Sequence, residues 1–311
     1  MASFDKRYIS VCDPAVSSTT YSHIHSKTIS ENVNTDYLQY GSIEDKSLSF
    51  IKSKNAYSGQ ITTNFRPWES RFFLRSFFGV PRSGGDESYY LTENYNSLNL
   101  KVANGDPNTV GVNDRFITLN YMDVLINKID LDFKSKDFST ASFSYIAEDV
   151  TKINDLDVTY DLPDEETSMF YKIDITMTPS SGGVLSYDDV SSCKIAMNNG
   201  GTNDSYHVGN NEPATLRKKQ QQSGVITFNY DGYSTDNFAV RLNDLDCKKT
   251  YTIYINIKDR VSDATRCSFT FNNCVATETK RDLNRARDAS KSVMFIADLT
   301  DMTMFIKNIY V

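Results

Sequence analysis

The chain has 311 residues and a mass of 35.2 kDa, with 33 Lys and Arg against 40 Asp and Glu, a net charge of −7 and a pI near 5.1. That length suits two ordinary domains or one large β domain, and the acidic balance argues against stable binding to nucleic acid or acidic lipid. With 19 Tyr, 18 Phe and 1 Trp against 14 Gly and 7 Pro, the composition is that of folded rather than disordered sequence. No apolar run approaches the ~20 residues of a spanning helix, and no membrane contact is expected.

Residues 1–57 are rich in Ser, Thr, Asn and Tyr, and read as an extended arm or as strands joined by long loops. His23 and His25 alternate as on one strand face, but no Cys or carboxylate stands beside them at a useful spacing, so no metal site is expected. A strand is expected at 58–65, then a helix over 66–79. There Pro67 suits a first turn, Gly79 suits a stop, and Trp68, Phe72, Leu74, Phe77 and Phe78 supply an apolar flank. Alternating strands follow at 98–102, 116–121, 129–133 and 142–147. In 129–133 every second residue is apolar, so one face is buried and the other carries Asp130 and Asp132.

Asp155, Asp157, Asp161, Asp164, Glu165 and Glu166 crowd around Pro163 and read as a solvated linker rather than a carboxylate site. No GxSxG, HExxH, P-loop or Rossmann glycine pattern occurs, and Gly182-Gly183 and Gly200-Gly201 are turn signals. Cys12, Cys193, Cys247, Cys267 and Cys274 form no CxxC, which fits free thiols made in a reducing cytoplasm. No catalytic residue, metal or cofactor is expected, and the chain is not read as an enzyme.

The second half repeats the first. Residues 223–230 match 58–65 at five of eight positions: Ser223, Gly224, Ile226, Thr227 and Asn229 stand where Ser58, Gly59, Ile61, Thr62 and Asn64 stood. Residues 231–242 take the place of the helix, 251–257 that of 98–102, and 291–298 that of 141–148. The first match lies at an offset of 165 and the last at 150. This order implies an internal duplication, with 1–57 as an N-terminal arm and strands, copies at 58–150 and 169–311, and an acidic linker at 151–168. The charged segment 277–288 departs from the pattern. Its Lys280, Arg281, Arg285 and Arg287 form either a solvated face or a contact with an acidic surface on another subunit.

On the 58–65 and 223–230 strands, the helix between strands, and the closing segments 142–147 and 292–297, the sequence resembles bacteriophage tail tube proteins. The resemblance implies a mainly β chain of two tandem β-sandwich, tube-type domains, each with a flanking helix. It implies stacked rings, three chains per ring in preference to six, assembled in the host cytoplasm and resident in the virion tail. Tape-measure, tail terminator and baseplate proteins would be partners, and DNA would transit without stable binding. Asp130 and Asp132 are then candidate lumen carboxylates, although an outer solvated face gives the same pattern. The alternative is a two-domain β-sandwich binding or decoration module, stacking Trp68, Tyr89, Tyr90 and Tyr95 on sugar rings or associating with a capsid or fibre.

Overall fold

The computed structural model describes residues 7–14, 21–24, 26–40, 49–79, 81, 85–92, 96–104, 117–134, 137–153, 167–169, 172–180, 185–186, 190–206, 213–217, 222–230, 249–259, 261–281 and 291–308. Across them the protein is mainly β, with one α-helix, and every strand pairing is antiparallel. The first half holds β1 (Arg7–Cys12), β2 (Ser22–Ile24), β3 (Thr28–Tyr40), β4 (Ser49–Asn64), α1 (Arg71–Phe78) and β5 (Glu87–Tyr90). It continues with β6 (Leu98–Asn104), β7 (Ile117–Lys134), β8 (Thr140–Ala147) and β9 (Asp149–Ile153). The second holds β10 (Ile173–Pro179), β11 (Leu185–Ser186), β12 (Val190–Asn198), β13 (Thr202–Tyr206) and β14 (Pro213–Arg217). After these come β15 (Ser223–Tyr230), β16 (Thr250–Lys258), β17 (Thr265–Arg281), β18 (Lys291–Asp298) and β19 (Met302–Ile306).

Period-2 patterning sets the faces. On β7, Ile129, Leu131 and Phe133 are buried while Asp130 and Asp132 point away from the core. β7 is long because it serves two layers. Its first half pairs with β6 and β9, its second with β8. The change of layer comes at Asp123, whose φ is 49°, and at a bulge between Ile126 and Lys128. The two layers close over Ile9, Val11, Ile61, Leu100, Val102, Tyr121 and Phe143, all buried. β1 is therefore part of the core, so residues 1–57 include a central strand as well as a hairpin.

The pairing scheme then recurs. In the first half β1 pairs with β2 and β6, β6 with β7, β7 with β8 and β9, β8 with β4, and β4 with β3. In the second half β10, β11, β16, β17, β18, β19, β15 and β12 take the places of β1, β2, β6, β7, β8, β9, β4 and β3, pair for pair. The agreement reaches single residues. Leu125 faces Ile146 and Val275 faces Ile296; the bulge after Ile126 recurs after Ala276; the positive φ of Asp123 recurs at Asn273, 53°. One register differs. Gly59 faces Tyr145 on β8, whereas Gly224 faces Ala297 on β18, a slide of two residues that leaves the faces unchanged.

The halves are joined through strands as well as through chain. Residues 192–198 of β12 pair with 128–134 of β7, and β5 pairs with β19. One hydrophobic cluster runs through both halves. At its middle the Phe65 ring lies 6.0 Å from that of Phe133 and 6.5 Å from that of Phe269.

The helix is shorter than its sequence signals. Residues 67–70 form a turn closed by Ser70 N–H to Arg66 O at 2.9 Å, and α1 begins at Arg71. Gly79 ends it, with φ 115° and its N–H donating to Arg75 O at 2.9 Å. Phe72, Phe73, Leu74, Ser76, Phe77 and Phe78 are buried, so the helix is wedged into the fold rather than laid on it. Residues 231–242, expected to take the equivalent place, lie outside the described residues, as do most of 151–168.

Candidate assembly interface

The two signature strands occupy matching positions, and their alternation explains the shared residues. Ile61 and Ile226 are fully buried, and Gly59 and Gly224 share that inward face. A Cβ on Gly59 would stand 2.5 Å from Ser30 O and 2.5 Å from the Tyr145 ring; on Gly224 it would meet Leu299 Cδ2 at 2.8 Å. Each glycine thus admits one large neighbour. Ser58, Thr62 and Asn64, like Ser223, Thr227 and Asn229, lie on the opposite face. There Thr62 Oγ1 is 2.9 Å from Ser142 Oγ, and Asn229 Nδ2 donates to Ser192 Oγ at 2.7 Å.

Asp130 and Asp132 share this polar face at the junction of β7 and β12. Lys128 Nζ is 2.7 Å from Asp130, and Lys134 Nζ is 2.8 Å from Asp132. Across the seam Lys194 Nζ is 4.0 Å from the same Asp132 oxygen. The Asp132 carboxylate holds the Lys134 ammonium above its ordinary pKa through hydrogen bonding and charge. This strip is a mixed-charge ladder, with three lysines around two aspartates and a net charge of one positive.

The seam is sealed at one end by polar groups that the sequence did not single out. The bend and bulge of β7 leave backbone groups that α1 and the residue following β12 satisfy. Ser76 Oγ accepts from Ile126 N–H at 3.0 Å, and the buried Asn199 donates through Nδ2 to Ile126 O at 2.9 Å and Phe77 O at 3.3 Å. Asn199 Oδ1 accepts from Gly201 N–H at 3.0 Å. The chain here lies close on the first half. A Cβ on Gly201 would be 2.8 Å from Leu125 Cδ2, and β13 and β14 rest against β8 and β4. Leu125 and Ile146 are buried beneath this crossing as a small apolar pair of their own. Of their counterparts in the second half, Val275 is half-buried and Ile296 is 45% exposed, without a matching crossing among the described residues.

Other sequence candidates are scattered. Tyr89 is buried, and its hydroxyl donates to Glu87 beside Arg75, which also pairs with Asp13 at 3.3 Å. Trp68 packs partly on the core with the Arg71 guanidinium 4.5 Å from its ring centroid, so Trp68, Tyr89 and the exposed Tyr90 form no common stacking platform. Tyr95 and the carboxylates at 155–166 lie outside the described residues, as do His25, His207 and Cys247. His23 faces Ser10 across β1 and β2, and no group of three or more His, Cys, Asp or Glu is placed to hold a metal among the described residues. Cys12, Cys193, Cys267 and Cys274 are buried; burial pushes the Cys274 thiol up to about 12 and Cys193 higher still. Of the charged segment, β17 takes 277–281 as strand, and 282–288 is outside the described residues.

No protein-family model matches the chain, and no curated protein matches it. Among solved structures it is weakly similar to three chains. A chain of the anti-feeding prophage baseplate aligns at 8% identity and TM-score 0.34, over 44% of this chain and 93% of that one. A chain of the anti-feeding prophage tube-terminating cap aligns at 15% identity and TM-score 0.35, over 48% and 97%. Hcp1 from Flavobacterium johnsoniae aligns at 15% identity and TM-score 0.23, over 40% and 89%.

Proposed function

We propose that this chain is a structural protein of a bacteriophage tail, polymerising as stacked rings into the tail tube that conducts DNA into the host. The observation that carries the reading is the repeated antiparallel scheme fused into one sheet at the β7–β12 seam. Two equivalent units already stand side by side in the strand-pairing direction, and a strip of this kind is completed by adding further units until it closes. Two units per chain favour three chains per ring over six. The polar face then lines the lumen. Its interleaved lysines and aspartates offer no run of positive charge to hold DNA, whose backbone carries one charge per ~1.7 Å of axis.

The reading assigns no reaction to the chain, which acts by assembly with copies of itself and with tape-measure, tail terminator and baseplate proteins. It is made in the host cytoplasm and resides in the virion tail. Light-scattering mass with negative-stain electron microscopy of the purified protein tests this. Hollow rings or tubes with three chains per ring are expected. Six chains per ring would keep the tube and remove the role given to the duplication, whereas a monomer or dimer at every concentration would overturn the reading.

A further inference from the structure

The internal seam is a template for a second one. β7 pairs outward with β12, but among the described residues the strand that takes the place of β7, β17, has only β18 as a partner over 278–281. At the other end of the strip β3 takes the place of β12, and β4 is the strand paired with it. Among the described residues the strip therefore ends on one side in the counterpart of β7 and on the other in the counterpart of β12. The two edges complement one another only between different copies of the chain.

We propose that residues 278–280 of β17 in one copy pair antiparallel with residues 30–32 of β3 in a second copy, repeating the register of the internal seam. In that seam Asn198 faces Lys128, Met197 faces Ile129 and Ala196 faces Asp130. Lys128, Ile129 and Asp130 correspond through the shared β8 and β18 registers to Glu278, Thr279 and Lys280. Counted from Gly59 and Gly224, Asn198, Met197 and Ala196 correspond to Asn32, Glu31 and Ser30. The intermolecular pairs are thus Asn32 with Glu278, Glu31 with Thr279 and Ser30 with Lys280. The charged character of the segment beginning at Thr277 suits an edge that must stay soluble until it meets its partner.

A second observation points to the same neighbour. Ile146 is 7% exposed because the chain following β12 crosses over it and Leu125; Ile296, at the matching position, is 45% exposed. The part of the chain that corresponds to that crossing is the continuation of β3 beyond Asn32, which forms with β4 a hairpin from 33–40 to 49–56. Paired in the proposed register, the hairpin of the second copy lies over Ile296 and Val275. Ile296 is then an interface residue held in reserve, and its exposure in the single chain is the mark of the absent copy.

This inference rests on the ring reading above, and the test separates the two. A chain carrying S30C and K280C, oxidised under conditions where the wild type forms rings, should give covalent dimers and trimers on non-reducing gels. Each single variant should give none. An N32C/K280C chain reports the same seam slid by the two residues that distinguish β15 from β4, and linking through either pair supports the proposal. In parallel, I296E should lower ring formation at least tenfold with the thermal midpoint unchanged, and I296V should assemble like the wild type. Rings that form normally in I296E, or that never cross-link through either pair, overturn the edge assignment and leave the tube reading standing. A wild-type chain that yields neither rings nor cross-links overturns both.

Discussion

Asp123 and Asn273 stand 150 positions apart and adopt the same left-handed backbone, with φ of 49° and 53°. Each sits where a long strand leaves one layer for the other, opposite a break in register with β6 or β16. Asp and Asn are the side chains besides glycine that tolerate this region, because a short polar group can hydrogen-bond locally. The bend is thus written twice in the sequence, by residue type rather than by identity.

Replacing Asp123 with Val should cost roughly 1–2 kcal/mol, because a branched Cβ meets the backbone in that conformation. Asn273→Gly should cost less, about 0.5–1 kcal/mol, because it keeps the left-handed backbone and gives up only the exposed bond from Asn273 Nδ2 to Asp301 at 2.9 Å. Urea unfolding of the two variants checks this, and equal losses would show that the bend is not held by local conformation.

The two signature glycines should respond unequally to alanine. At Gly59 the new methyl meets the backbone oxygen of Ser30 and the Tyr145 ring, neither of which moves aside easily; about 1–3 kcal/mol should be lost. At Gly224 it meets the end of the Leu299 side chain, which can rotate, and the loss should stay below about 1 kcal/mol. Calorimetry on the pair would reveal a reversed order if the strand contacts were misplaced.

Acid should weaken the turn after β16 through Asp259. Its carboxylate accepts from Ser262 N–H and Val261 N–H, each at 2.8 Å, and pairs with Arg266 at 2.8 Å. These bonds, that from Ser262 foremost and against the opposing effect of burial, bring its pKa to about 2. A carboxyl whose folded pKa lies below its unfolded value of about 4 stabilises the fold above pH 4 and ceases to as pH falls from about 4 to 2. The stability gap between wild type and D259N should therefore shrink across that window. A gap constant from pH 7 to pH 2 would remove Asp259 from the acid response.

Much of the fold was legible because period-2 patterning is local. The strands at 98–102, 129–133, 142–147 and 251–257, and the doubled signature strand, are all strands in the structure. The offset of 150 shared by 142–147 and 292–297 holds also in the pairing of the long strands before them, Leu125 with Ile146 and Val275 with Ile296. What stayed hidden was which edge meets which. Nothing in the alternation of 192–198 says that it pairs with 128–134, since a strand edge is the same backbone whatever its side chains. Asn199 and Ser76 gave no signal either, because their partners are main-chain groups exposed by a bulge that only the folded chain contains. The charged stretch from Thr277 departed from the repeat in sequence, yet β18 draws it into strand as far as Arg281, tertiary pairing overriding local character.

The contact between β5 and β19 sets the order in which the molecule can be finished. Glu87 faces Ile306 and Tyr90 faces Thr303, so a strand from the first third of the chain waits for one of the last to be made. While the ribosome is still working, β7 also lacks β12, and the newborn first half presents an open ladder beside an incomplete core. Such long-range closure is slow and leaves sticky intermediates. Nascent chains would then depend on dilution or a chaperone until synthesis ends, and premature termination anywhere before Met302 would leave a product that aggregates rather than a smaller working subunit.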